Sequence, residues 1–159
     1  MLPHSIKTGL SFGLTSGIIT TLGLIVGLHA GTHSKLAVVG GIAIVAIADA
    51  LSDALGIHIA EEAENKHTER QIWESTIATF VSKFIFASVF ILPLVLLELA
   101  TAILVSVIGG LCLLSILSFI IAREQQVKPA KVIAEHVLIA LVVIFVTHHL
   151  GDWIASTLG

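Results

Sequence analysis

Five long apolar runs, parted by short polar breaks, leave this chain few ways to fold. They cover about residues 6–28, 36–59, 77–97, 99–122 and 132–158. A helix needs roughly 20 apolar residues to cross the hydrocarbon of a bilayer, and every run reaches that length. Lipid offers the backbone no partner, so each run is expected to be helical. Composition agrees: 56% of the residues are hydrophobic and 12% charged, about half the charged share of an ordinary soluble domain. The expected fold is an all-α integral membrane protein, one domain over residues 1–159 with five transmembrane helices. Its one sizeable polar connection, residues 60–76, is expected to be a short cytoplasmic loop. The first run is long and its glycines are spaced for packing, so it is expected to be a retained span and not a cleaved leader.

Orientation follows from Lys and Arg. Six of the eight basic residues, Lys7, Lys66, Arg70, Arg123, Lys128 and Lys131, fall on one side of the expected membrane. Lys35 falls on the other, and Lys83 lies inside the third span. The positive-inside rule then predicts a cytoplasmic N-terminus and a C-terminus outside or in a lumen. Pro129 is placed to start the fifth span, where proline is favoured. Pro93 is placed to kink or end the third. Gly9, Gly13 and Gly17 repeat every four residues, as do Gly23, Gly27 and Gly31. Such ridges let helix backbones approach closely, either within one chain or between two copies. An odd number of spans cannot divide into equal inverted halves, so a transport path, if the chain has one, is expected between protomers or in an irregular bundle.

Several ionisable side chains sit in or beside the apolar runs. Asp49 and Asp53 are four residues apart and share a face of the second span. A carboxylate in the bilayer interior costs at least about 2.5–3.5 kcal/mol, so a pair of them asks for a partner or a function. They suit a cation site, a proton relay, or a structural ion pair with Lys83. That lysine lies about as deep in the third span as Asp53 does in the second, counted from the same end. Beyond the second span, Glu61, Glu64 and His67 recur at intervals of three. Glu-x-x-His is a ligand spacing of carboxylate-bridged metal sites in helical bundles, and such oxygen and imidazole donors suit divalent Fe, Mn or Zn. At the opposite membrane surface, His148 and Asp152 share a helix face, with His149, Trp153, His29, His33 and Glu98 at the same level. Those groups suit either cation release or interfacial anchoring. Glu135 and His136 open the fifth span with the same ambiguity.

Other chemistries lack support. No nucleophile–base arrangement, phosphate loop or cofactor motif is present, so no enzymatic activity and no permanently bound cofactor are expected. No basic run suggests nucleic acid, and the single Cys112 excludes a disulfide within the chain.

The first two spans carry a resemblance. "GLTSG" (Gly13–Gly17), the "GLHAGTHSKLAVVGG" turn (Gly27–Gly41) and "ALSDALG" (Ala50–Gly56) leading into "AEEAE" resemble the vacuolar iron transporter family. "TFVSKFIFASVFILPLVL" resembles that family's third span, and "VTHHLGDWI" the end of its fifth. The resemblance implies a divergent, prokaryotic-type member without the family's glutamate-rich cytosolic metal-binding domain. It implies five spans, a homodimer with a metal path near the dimer interface, and export of Fe(II) or Mn(II) from the cytosol against protons. The ligands differ. The family's first-span Asp is Ser16 here, its second-span Glu falls on Val45 and its Met on Asp53, with Asp49 added. Losing a thioether and gaining carboxylates favours harder ions such as Mn(II). On this reading Glu61, Glu64 and His67 collect the ion, and Asp49 and Asp53 pass it with Ser16 contributing a hydroxyl. His148, His149 and Asp152 then release it, and protonation of the aspartates couples proton entry to metal exit. Lys83 either belongs to the path or blocks it. Two alternatives keep the same fold: a scaffold or regulator in which Asp53–Lys83 is structural, and a proton or organic-solute carrier.

Overall fold

The structure, a computed structural model, describes residues 3–158. Among these residues all regular structure is helical. The elements are α1 (His4–Thr32), α2 (Lys35–Glu64), α3 (Glu69–Val89), α4 (Ile91–Leu96), α5 (Leu99–Glu124) and α6 (Pro129–Leu158). Taking α3 and α4 as one broken rod, five helical segments are long and apolar enough to cross a membrane. That is the architecture of a multi-pass membrane protein.

The helices overrun the apolar segments, and local capping explains where they stop. The main correction concerns residues 60–76, expected as a polar loop. Helix α2 continues to Glu64 and α3 begins at Glu69, leaving only Asn65–Thr68 as a turn. Asn65 ends α2 in the left-handed conformation, φ 52°, which its short polar side chain tolerates. Thr68 starts α3 through a capping box, its hydroxyl accepting from the Gln71 N–H while the Gln71 side chain accepts from the Thr68 N–H. Hydropathy marks where lipid ends, not where a helix does. Pro129 does occupy the first position of α6. Pro93 breaks the third span, because it cannot donate to the Val89 carbonyl and its ring crowds that group. The rod therefore interrupts between Val89 and Ile91, and a short helix resumes.

Helix α1 is the hub, packing against α2, α3, α5 and α6. Its two glycine ridges are used within the chain. A methyl group on Gly9 would lie 2.8 Å from Ala78 Cβ, and one on Gly17 3.3 Å from Lys83 Cγ, so the first ridge seats α3. A methyl group on Gly23 would lie 2.6 Å from a Val143 methyl, and one on Gly27 3.1 Å from Thr147 Cβ, so the second ridge seats α6. Close backbone approach at these small residues replaces the hydrophobic drive that lipid removes.

The interior divides by depth. Ile18, Leu22, Ile25, Val38, Ile42 and Leu94 form an apolar core in the half nearer the α1–α2 turn. The other half buries Ser5, Glu61, Ser75, Thr79, Ser82 and Lys83. Seating by the ridges predicts that Gly13→Val, which would meet the Thr79 backbone and Ser82, destabilises the bundle by about 1–3 kcal/mol. Gly109→Ala, with open space beyond its Cα, is expected to be neutral or slightly stabilising. Thermal melting of the purified variants in one detergent checks both.

Candidate functional site

Helices α1, α2 and α3 bring Ser16, Asp49, Asp53 and Lys83 together. On α3 the Lys83 side chain is 2% exposed, while those of Asp49 and Asp53 on α2 keep 32% and 22%. The Lys83 ammonium lies 2.6 Å from Asp49 Oδ2 and also contacts Asp53 Oδ2 directly. From α1, Ser16 Oγ accepts from Lys83 Nζ at 2.9 Å and donates to Asp53 Oδ2 at 2.7 Å. The two aspartates are not held alike. Asp53 makes directed hydrogen bonds to both the ammonium and the hydroxyl. Asp49 Oδ2 is near the same ammonium but has no partner in hydrogen-bond geometry, so its hold is Coulombic. With every group ionised, two carboxylates face one ammonium, an excess of one negative charge.

The i, i+4 spacing placed Asp49 and Asp53 on one face, and equal depth paired Asp53 with Lys83. That Asp49 shares the lysine depends on how α2 rotates against α3, which spacing does not encode. Gly17, with no side chain, lets α1 close over Lys83: a Cβ there would lie 3.3 Å from Lys83 Cγ.

Polar contacts continue along the α2–α3 seam toward the Lys66 end. His58 Nδ1 lies 3.0 Å from Thr76 Oγ1, and buried Glu61 accepts a short hydrogen bond from Ser75. On the neighbouring α1–α3 seam, Ser5 donates to Glu74 at 2.6 Å. Ser5, His58, Ser75 and Thr76 had no motif to mark them. The only signal was position, since His58 lies one helical turn before Glu61.

The expected collecting set is spread apart. Glu61 turns into the α2–α3 seam, whereas Glu64 is exposed with His67 Nε2 at 3.6 Å from its carboxylate. At the opposite end, His148 Nε2 lies 3.5 Å from Asp152 Oδ2, and the His148 and His149 rings are 5.6 Å apart. The rings of His29 on α1 and His33, just past its end, are 5.2 Å apart. His136 meets Ser118 at 2.8 Å, while Glu135 pairs loosely with Lys131. Among the described residues, no three His, Cys, Asp or Glu side chains converge as a metal-binding group. Comparisons with protein-family models, curated proteins and solved structures find no match.

Either aspartate variant leaves Lys83 one carboxylate, so neither strands the ammonium. Asp53→Asn is expected to lower stability by about 1.5–3 kcal/mol, because it disturbs the acceptor of two directed hydrogen bonds in a charged pair. Asp49→Asn should cost clearly less, since Asp49 is more exposed and lacks directed bonds. Melting temperatures of the two variants, compared in the same detergent, check the order.

Proposed function

We propose that this chain carries a divalent cation, Fe(II) or Mn(II), out of the cytoplasm in exchange for protons. The carrying observation is the convergence of Asp49 and Asp53 from α2 on one point inside the bundle, with Ser16 beside them and both carboxylates partly open. Oxygen donors of this kind favour hard divalent ions, Mn(II) above thioether-assisted Fe(II). Ionisable groups at membrane depth are costly, and they recur where ions or protons pass. The resemblance of spans one and two to the vacuolar iron transporter family supports the same reading, and with it a homodimer. In this scheme the Lys7, Arg70 and Arg123 end faces the cytoplasm. Glu61, Glu64 and His67 draw the ion toward the α2–α3 seam, and His148, His149 and Asp152 receive it at the far surface.

A second reading has an observation of its own. Lys83 already neutralises both aspartates in part, and no three-donor group is assembled among the described residues. A membrane scaffold or regulator that uses the ion pair to lock α2 onto α3 needs nothing more.

Flux separates the two. Proteoliposomes holding an internal pH dye are expected to move Mn(II) one way and protons the other, and Asp49→Asn and Asp53→Asn to abolish both movements. Asp49→Asn carries most weight because it should fold well. Absence of Mn(II) and Fe(II) flux from folded wild-type protein overturns the carrier in favour of the scaffold.

A further inference from the structure

We propose that the Lys83 ammonium is a tethered plug: it fills the seat that the transported cation takes between Asp49 and Asp53, and must leave it before the cation enters. This rests on the carrier reading above.

Geometry makes the two occupants mutually exclusive. Lys83 Nζ is 2.6 Å from Asp49 Oδ2 and in direct contact with Asp53 Oδ2. A hard divalent ion sits about 2.0–2.6 Å from its oxygen ligands, so it would take nearly the same point. Two positive charges cannot share it. The Lys83 side chain is 2% exposed, whereas those of Asp49 and Asp53 keep 32% and 22%. An incoming cation therefore reaches the aspartate side chains before the ammonium, and Asp49 must turn to present its buried Oδ2.

The bonds also suggest an order of release. Asp49 is held without hydrogen-bond geometry, so turning it toward an incoming ion breaks no directed bond. Asp53 follows, exchanging the ammonium for the ion. Ser16 then keeps the ammonium company, because its Oγ already accepts from Lys83 Nζ. The plug thus retains a partner in low dielectric while the carboxylates are engaged elsewhere. No other charged side chain among the described residues forms an ion pair with Lys83; from α1 the Ser16 hydroxyl accepts from its ammonium, and Gly17 lies against its stem.

The test is Mn(II) binding to purified, folded protein in detergent, followed by the electron paramagnetic resonance of the free ion. Wild type is compared with Lys83→Met, Lys83→Arg and the triple variant Lys83→Met/Asp49→Asn/Asp53→Asn. Removing the plug is expected to tighten binding at least about tenfold, since the ion then displaces no ammonium and meets two carboxylates left uncompensated. Arginine, whose planar fork grips carboxylates in two directed bonds, is expected to weaken it at least about tenfold. The triple variant should bind none. The order Met, then Lys, then Arg supports the plug, as does binding by Lys83→Met where wild type shows none. Equal affinities across the three, with wild-type flux intact, overturn the plug and leave the carrier standing. No binding by any folded variant overturns both. If Lys83→Met fails to fold, the arginine variant decides, and wild-type affinity there overturns the proposal.

Discussion

The Lys83 ammonium is almost wholly withdrawn from solvent, and a charge in that position demands opposite charge within reach. Asp53 and Asp49 supply it from α2, and Ser16 completes the contact from α1. The demand ties three helices to one point and sets the rotation of α2 about its own axis. It also explains the first glycine ridge. Bare backbone at Gly17 lets α1 lie close against the Lys83 stem, and the same ridge brings Ser75, Thr79 and Ser82 against α1. Apolar side chains alone would tolerate several rotations of these helices, whereas a buried pair left unmatched would not.

Polarity is unevenly distributed through the bundle as a result. Near the α1–α2 turn, branched and long aliphatic side chains fill the interior, and the buried part of α5 adds Ala102 and Leu114. Toward the other end, hydroxyls, a carboxylate and the ammonium are buried beside Ala54, Ile72 and Ala122. The hydroxyls of Thr79 and Ser82 each donate to a carbonyl a turn back on their own helix, whereas Ser75 gives its one proton to Glu61. Thr79 and Ser82 therefore need no outside partner, yet keep lone pairs to offer. This is how a membrane helix can hold a polar stripe without leaving orphaned donors.

Much of this could be read from residue order, for identifiable reasons. Lipid imposes one secondary structure, so the five rods follow from length and hydropathy. Asp53 and Lys83 follow from equal depth in antiparallel neighbours. The helix ends between residues 60 and 76 were hidden from hydropathy because acidic, water-facing turns score as loop, although Thr68 and Gln71 have capping-box spacing. Glycine spacing announced close packing but not its partner, since the same ridge serves a neighbour in the chain or in another copy. Glu61, in register with Glu64 and His67 along the sequence, faces Ser75 because α2 and α3 continue as a pair beyond the apolar segment. Such contacts belong to the angle between two helices, which no local pattern records.

The short turn at Asn65–Thr68 carries a consequence for biosynthesis. A charge at the centre of a span costs about 2.5–3.5 kcal/mol when that span partitions alone from the translocon into lipid. Helix α2 brings two such charges and α3 one. Released one after the other, each would enter bilayer with its charges unmatched. Joined by four residues, they can leave the channel as a hairpin whose charges meet before lipid surrounds them. The ion pair then acts as a passport for its own helices, and the turn's brevity keeps the two holders together at the gate.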